Sequence, residues 1–265
     1  METNKKKIFY TKDIEMRFGG LYALSEINID IFEDELLGMI GPNGSGKTTF
    51  FNVITGFYKP TSGSFYLMGE KLTGKEPFEI AKKGISRTYQ ISRLCLDLTV
   101  LDNILIGTHL KQSTGYFTTL FNKKKLMKEV DEYKEKAIHL LKIFNPAIIE
   151  RLYEPVGGLP QIDRRRVEVS RAMIAAPKII LLDEPSAGMS PDETEVFMDD
   201  IRKIRAEMTN VTIMIIEHDM SVISSVSERV VALNFGKKIA EGTYKEVFNN
   251  KEVRKAYLGE EYNHE

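Results

Sequence analysis

The feature that most constrains the fold is an eight-residue stretch, residues 41–48, that reads GPNGSGKT. It follows the short apolar run 36–40 and precedes residues 47–56, which favour a helix. This is the strand-to-helix context that the pattern G-x-x-x-x-G-K-[ST] requires. Glycines let the backbone approach a phosphate, and successive N–H groups and the helix N-terminus then point at the anion. The stretch therefore predicts a phosphate-binding loop and disfavours a chance glycine-rich turn.

Two side chains of this loop are predicted to contact the bound nucleotide and its cation directly. Lys47 can reach the β- and γ-phosphates, and Thr48 can offer its hydroxyl to Mg²⁺. The predicted phosphate-contacting residues are Gly41, Pro42, Asn43, Gly44, Ser45, Gly46, Lys47, Thr48 and Thr49.

Two later apolar runs each end in polar residues. Residues 179–182 are followed by Asp183 and Glu184, and residues 211–216 are followed by Glu217, His218 and Asp219. A strand that is buried on both faces carries charges only at its tip, where a ligand binds. We therefore predict that Asp183 holds Mg²⁺ through water, that Glu184 is the base for the attacking water, and that His218 faces the γ-phosphate. The alternative for the two carboxylates is an ordinary capping pair. The other histidines, His109, His139 and His264, have no such context.

The rest of the chain divides by its periodicity. Ile27, Ile29 and Ile31 alternate with polar residues as in a half-buried strand, and residues 65–68 and 85–90 also favour strands. A helix over 191–208 separates the two later apolar runs, which indicates a mainly parallel sheet. Between 99 and 171 the helical period dominates. We predict an α/β core of residues 1–98 and 172–265 with an inserted helical subdomain, 99–171. The apolar positions of that period are Leu126, Val130, Tyr133, Ala137, Leu140 and Leu141.

Composition excludes several classes of protein. The net charge of −1 argues against a general nucleic-acid binder, which carries a basic excess. Cys95 is the only cysteine, so no internal disulfide is possible, and we interpret it as a small buried hydrophobe. No apolar run approaches the roughly 20 residues of a membrane-spanning helix, and the lysine-rich residues 1–7 do not resemble a secretory signal. We therefore expect a cytoplasmic protein that reaches a membrane only through a partner.

Taken together, these motifs resemble those of ABC transporter ATPases over nearly the whole chain. The resemblance implies a phosphate-loop NTPase core, with a mainly parallel sheet, antiparallel N-terminal strands and an inserted helical subdomain. It implies ATP and Mg²⁺ as ligands. It assigns Phe18, in Arg-Phe-Gly-Gly, to stacking on adenine, although a core position is the alternative. It assigns Gln90, in Arg-Thr-Tyr-Gln, to sensing Mg²⁺ and water, Glu184 to catalysis and His218 to the γ-phosphate switch.

The resemblance also implies partners. Such ATPases work as head-to-tail pairs bound to transmembrane permease subunits at the inner face of the cell membrane, and residues 186–191 match the loop that crosses to the other ATPase. The candidate dock for the permease is the surface of residues 90–101, although its apolar residues can equally pack inside the subdomain. Those residues are Ile91, Leu94, Leu96 and Leu98.

One branch of the family is favoured. Several stretches are similar to ATPases of branched-chain amino acid uptake, which form one family with the ATPases of lipopolysaccharide export, the alternative substrate class. These stretches are 17–24, 41–51, 55–60, 87–90, 217–220 and 256–260.

The family signature departs from its usual form. Where relatives ordinarily carry Leu-Ser-Gly-Gly-Gln before a helix, expected here over 165–176, this chain has Leu159, Pro160, Gln161, Ile162 and Asp163. Ile162 replaces a glycine, and a β-branched residue resists the conformations that glycine supplies. We interpret the signature as degenerate, with reduced hydrolysis at the site it completes on a partner. A heterodimer is therefore favoured over a homodimer, and the alternative is that Ile162 is tolerated.

Three rival functions can be compared with the same residues. A phosphate-loop kinase or GTPase would lack Gln90, Glu184 and His218 in this order. A soluble ABC protein of translation or DNA repair would carry two such domains or a long coiled coil. A regulatory subunit that binds ATP without turning it over stays open because of Ile162.

Overall fold

A computed structural model describes residues 5–109, 123–208 and 211–258. The chain divides into two compact units, one of Met1–Arg87, Lys178–Pro185 and Asn210–Glu265, the other of Thr88–Pro177 and Ser186–Thr209. These units depart from the sequence-based boundaries at 98 and 172. The main cause is the helix Pro191–Glu207, which packs against other helices of the second unit.

Eleven strands belong to the described part of the first unit. They are β1 (Lys7–Phe18), β2 (Leu21–Ile27), β3 (Asp30–Phe32), β4 (Leu36–Ile40), β5 (Ser62–Leu67), β6 (Glu70–Lys71), β7 (Ile85–Arg87), β8 (Ile179–Asp183), β9 (Thr212–Ile216), β10 (Arg229–Asn234) and β11 (Lys237–Gly242).

Ten α-helices are described in the two units. They are α1 (Lys47–Ile54), α2 (Pro77–Lys83), α3 (Val100–Leu105), α4 (Lys123–Phe144), α5 (Ala147–Glu150), α6 (Gln161–Met173), α7 (Pro191–Glu207), α8 (Met220–Val226), α9 (Tyr244–Asn249) and α10 (Lys251–Leu258), with 3₁₀ turns at Ile106–Thr108 and Val156–Gly158. Among the described residues, no helix is both long enough and apolar enough to cross a membrane.

The strands form two sheets. Six strands are ordered β11-β10-β4-β9-β8-β7, all parallel from β10 to β7, with β11 antiparallel to β10. Every residue of β4, β8 and β9 is buried, as their mostly apolar sequences predict for a parallel sheet. The second sheet, ordered β2-β1-β5-β6 with β3 also on β1, is antiparallel. The predicted α/β fold class is confirmed.

The core of the first unit is aromatic and aliphatic. Phe9, Phe50, Phe51 and Phe65 are almost completely buried. Each such side chain contributes about 1.5–3 kcal/mol relative to an exposed position. Two of them, Phe50 and Phe51, lie on α1, so the helix that follows the phosphate loop is fixed by its buried face.

The continuous strand predicted over residues 27–31 is wrong. Ile27 ends β2 and Ile31 lies in β3, although all three isoleucines are buried as the alternation predicted. The hydroxyl of Thr11 donates to the Ile27 carbonyl at 2.8 Å and accepts from the Ile29 amide at 2.9 Å. A side chain from β1 therefore satisfies the backbone at the break, and both strand ends stay buried. The predicted strand 85–90 is also shorter, because β7 ends at Arg87.

The second unit is helical around its own core. Ala137 and Leu141 of α4, Val167 of α6 and Phe197 and Ile201 of α7 are completely buried. The start of α7 is fixed by a capping box, in which Ser190 accepts from the Glu193 amide and the Glu193 side chain accepts from the Ser190 amide. The helix predicted from the periodicity between 126 and 141 is confirmed as α4, in which Ala137, Leu140 and Leu141 are buried and Val130 is exposed.

The interpretation of Cys95 as a buried residue is wrong, because the structure places it exposed. The completely buried side chain of Asn103 accepts from the Cys95 amide at 2.8 Å and donates to its carbonyl at 3.0 Å. The backbone is thus held against α3, and the neighbouring Leu94 takes the inward position instead. Gly259, Glu260 and His264, which entered the sequence-based predictions, lie outside the described residues.

Candidate nucleotide site

The predicted site residues of the first unit gather where its parallel strands end. The phosphate loop follows β4, Asp183 ends β8, and His218 lies two residues after β9. Because β9 lies between β4 and β8, these three strand ends are neighbours. The carboxyl edge of a parallel sheet is where such folds bind ligands.

The phosphate loop needs its glycines at particular positions. Gly41 and Gly46 have φ values of 153° and 107°. A Cβ at Gly41 would lie 2.3 Å from the carbonyl oxygen of Leu233, and one at Gly46 would lie 2.6 Å from that of Ala23. Both contacts are closer than real Cβ atoms allow, so the fold requires glycine at each position. The loop closes with the Ser45 amide donating to the Pro42 carbonyl at 3.1 Å.

Lys47 is buried at the start of α1. Its ammonium donates to the carbonyls of Gly41 and Pro42 at 2.7 and 3.1 Å. Burial lowers the pKa of Lys47, and the charges of Glu184 and Asp183 oppose that change. The ammonium is therefore held inside the loop, close to two carboxylates. From this position its positive charge would attract the phosphates of a bound nucleotide.

Glu184 and His218 form a pair. The sequence predicted that each residue lies at the end of a strand, but it did not predict their contact. Nε2 of His218 lies 2.6 Å from Oε1 of Glu184. Glu184 is buried and has a φ of 48°, which is unusual for a residue with a side chain. Its amide donates to the Ile216 carbonyl at 2.9 Å, which holds this conformation. Strained backbone of this kind costs about 1–3 kcal/mol and is concentrated at functional sites.

Asp183 has a partner that sequence reasoning missed. Its carboxylate accepts from Nη2 of Arg87, which ends the neighbouring strand β7, at 2.6 Å. Arg87 was noticed only as part of the motif that contains Gln90. No local pattern links two residues that are 96 positions apart.

The donors in this unit fit the cation that accompanies ATP. Thr48 supplies a hydroxyl and Asp183 a carboxylate, and hard oxygen ligands are those that Mg²⁺ prefers. The described residues contain no group of three or more His, Cys, Asp and Glu placed to hold a metal. Mg²⁺ in ATPase sites characteristically uses one or two protein oxygens, the phosphates and water, so this small donor set suits it.

Phe18 is not a core residue. It ends β1, is 44% exposed, and packs edge-to-face against Tyr58 with ring centroids 5.3 Å apart. The open face of such a ring can stack on a base.

A further residue that the sequence did not indicate lies behind the phosphate loop. Burial raises the pKa of Tyr257 on α10 to about 12, and the nearby backbone of Gly41 opposes that rise. The C-terminal helix of the described chain is therefore part of the surroundings of the loop.

Gln90 belongs to the second unit, where α6 holds its backbone. The guanidinium of Arg165 donates to the carbonyls of Tyr89 and Gln90 at 3.0 and 2.7 Å and pairs with Glu168 at 2.7 Å. The side chain of Gln90 is exposed. The segment that carries Gln90 is therefore anchored to the helix that carries the signature.

The signature has a different conformation from the one expected. The helix predicted over 165–176 instead begins at Gln161, directly after Leu159 and Pro160, so Ile162 and Asp163 lie in its first turn. Ile162 is not among the described residues with positive φ. Isoleucine can adopt a helical backbone, so the expected conflict between Ile162 and its backbone conformation is wrong. The remaining difference from glycine is the size of the side chain. Gln161 donates to the Ala187 carbonyl at 2.9 Å, which ties the signature to the loop before α7.

The candidate dock in the second unit is mostly exposed. Ile91 is 81% exposed and Leu96 and Leu98 are about half exposed, whereas Leu94 is buried. Leu94 therefore packs within the unit, as the alternative interpretation held, and the other three are exposed apolar side chains.

Two family models and several known proteins match this chain. The ABC transporter family model matches residues 24–187, and the model of the branched-chain amino acid ATP-binding cassette transporter matches residues 237–263. The high-affinity branched-chain amino acid transport ATP-binding protein BraF of Pseudomonas aeruginosa is 40% identical over 96% of this chain and 99% of its own length. LivG of Escherichia coli K12, which has the same description, is 39% identical over 92% of this chain and 95% of its own length.

Solved structures agree. The ADP conformation of an ATP-binding cassette of an ABC transporter is 32% identical, has a TM-score of 0.82, and covers 96% of this chain and 100% of its own. A nucleotide-free cassette, also 32% identical, has a TM-score of 0.81 with the same coverage. The chain therefore belongs to the ABC transporter family, as one of its ATP-binding subunits.

Proposed function

We propose that this subunit binds and hydrolyses ATP with Mg²⁺ to drive the uptake of branched-chain amino acids. The observation that carries the substrate class is the 40% identity to BraF over almost the whole of both chains. The match of residues 237–263 to the branched-chain model supports uptake over lipopolysaccharide export, because it concerns a segment outside the general ATPase motifs.

The roles of the site residues are part of the proposal. The loop of residues 41–49 holds the phosphates through its N–H groups and Lys47. Thr48, Asp183 and Gln90 hold Mg²⁺, which supplies charge that stabilises the transferred phosphoryl group. Glu184 accepts a proton from the attacking water, and His218, 2.6 Å from it, orients this carboxylate toward the γ-phosphate. Phe18 stacks on adenine, which its exposure permits.

The location and the partners follow from the same family. We place the subunit at the cytoplasmic face of the membrane, held there by transmembrane permease subunits and paired with another ATPase. The exposed apolar residues Ile91, Leu96 and Leu98 are the proposed dock for the permease, because exposed apolar side chains are typical of interaction sites.

Deleting the gene should lower uptake of labelled leucine, isoleucine and valine, and the parent gene should restore it.

Permease subunits should co-purify from the native membrane with the parent protein but not with an Ile91→Glu, Leu96→Glu variant, because buried charges at an interface are costly. A matched control is Phe78→Glu, another exposed apolar residue, which should retain the permease. Unchanged uptake after deletion would count against the substrate class, and retention by the double variant would count against the dock.

The signature supports a second, finer proposal, that the partner ATPase is a different chain. This chain keeps its own Lys47, Asp183 and Glu184 but has Ile162 where the resemblance implies glycine. A homodimer would then have the bulky side chain at both sites, whereas a heterodimer would have it at one. Because Ile162 sits in a helical turn, its bulk rather than its backbone is the proposed obstacle.

Ile162→Gly and Ile162→Ala should both raise the ATPase rate of the chain purified alone by at least about tenfold. Without the bulky side chain, the N–H groups of the signature can hydrogen-bond the γ-phosphate of the ATP held by the partner. Alanine is the informative control, because it removes bulk without adding the freedom of glycine. An effect of glycine alone would point to the backbone. A brisk parent rate that neither substitution changes would contradict the asymmetry.

A further inference from the structure

Arg87, which was not among the predicted site residues, forms an ion pair with Asp183 at the strand ends. Arg87 lies opposite Leu181 in the parallel pairing of β7 with β8, so its side chain reaches the end of β8 two residues further on. The distance from Nη2 to Oδ2 is 2.6 Å, and the two side chains are only 5% and 4% exposed. Solvent therefore screens this pair little.

Arg87 is also fixed from the opposite side. Nη1 donates to Oδ1 of Asn52 at 2.7 Å, and the guanidinium lies 5.4 Å from the ring centroid of Phe51. Both residues belong to α1, the helix that begins at Lys47. The planar guanidinium thus links the end of β8 to the helix of the phosphate loop with two directed bonds, a geometry that lysine cannot reproduce.

The buried carboxylate of Asp183 has Arg87 as a charged partner. Buried charged groups in proteins are paired and hydrogen-bonded. The charge of Lys47 also acts on Asp183, but its ammonium donates to the carbonyls of Gly41 and Pro42. Arg87 donates directly to this carboxylate at Oδ2, and Oδ1 lies outside the pair.

We propose that Arg87 is a positioning residue for the cation ligand Asp183. It holds the carboxylate in a fixed orientation before the nucleotide arrives, so that Oδ1 can accept from a water molecule on the cation. This inference rests on the proposed role of Asp183 toward Mg²⁺. Groups that hydrogen-bond a metal-binding residue typically change the metal affinity about 10–100-fold when they are removed.

The test is the Mg²⁺ concentration that half-saturates binding of a fluorescent, non-hydrolysable ATP analogue. Arg87→Met should raise that concentration about tenfold or more and leave binding of the analogue without Mg²⁺ unchanged. Arg87→Lys, which keeps the charge but not the fork, should fall between the parent and Arg87→Met and serves if the methionine variant fails to fold. The double variant Arg87→Met, Asp183→Asn should be no weaker than Asp183→Asn alone, because Arg87 acts through Asp183.

An unchanged or lowered Mg²⁺ requirement in Arg87→Met and Arg87→Lys, with a raised one in Asp183→Asn, would overturn the role of Arg87 and leave the cation site standing. An unchanged requirement in Asp183→Asn would overturn the proposed cation site itself. Weaker binding of the analogue without Mg²⁺, by the same factor as with it, would show that Arg87 supports the phosphate loop generally and would also overturn the inference.

Discussion

Replacing Glu184 with glutamine should lower the ATPase rate of the assembled transporter about 10²- to 10⁴-fold, the usual contribution of a positioned base. Glutamine keeps the size of the side chain and can still hydrogen-bond His218, but it cannot accept a proton from water. ATP binding should be retained, because the phosphates are held by the loop of residues 41–49. The measurements are phosphate release by the purified transporter and affinity for a fluorescent ATP analogue.

A matched control for this prediction is Glu195→Gln, which neutralises an exposed carboxylate on α7. Its ATPase rate should equal that of the parent. If Glu184→Gln also hydrolyses ATP at the parent rate, another group is the base. The pair with His218 would then serve only to hold the strained backbone at Glu184.

Lys47→Ala should weaken ATP binding about 10- to 100-fold. Hydrogen bonds to a charged group are worth about 1.5–3 kcal/mol, and about 1.4 kcal/mol corresponds to a factor of ten in Kd. The ammonium now donates to two loop carbonyls, and the phosphates of ATP would replace them as stronger, charged acceptors. Titration with a fluorescent ATP analogue in the presence of Mg²⁺ measures the change.

Lys245→Ala, which removes an exposed lysine from α9, is the control and should bind as the parent does. The same titration reports on Phe18. Phe18→Ala should lose about 1–3 kcal/mol of stacking, whereas Phe18→Tyr should keep it. Parent-like affinity in Lys47→Ala would contradict the phosphate-loop assignment, and equal affinity in all Phe18 variants would contradict the stacking role.

Several elements of the fold could be read from the sequence because their signals are local. Residues 179–182 are all apolar and form β8 together with Asp183, since a strand covered on both faces needs no polar alternation. The phosphate loop is equally local. Its glycines take dihedral angles that other residues rarely adopt, and the lysine and the helix follow at fixed spacing.

The helix start at Gln161 shows where local rules were insufficient. Pro160 suits the position before a helix, but the expected register came from a motif rather than from backbone preferences. The placement of Cys95 has a similar origin. Its residue type favours burial, yet the hydrogen bonds of Asn103 fix the backbone with Leu94 inward. Residue type alone identifies neither the start of the helix at Gln161 nor Asn103 as the residue that holds the Cys95 backbone.

The sequence by itself determined the phosphate loop, the buried strands and the acidic or histidine residues at their tips, because each depends on neighbours in the chain. Only the tertiary structure decided that Glu184 meets His218 and that Asp183 meets Arg87. Both pairs depend on the order of β7, β8 and β9 in the sheet, and that order is set by packing of the whole unit. Side chains that are far apart in sequence meet because their strands lie side by side, and periodicity carries no information about which strands do.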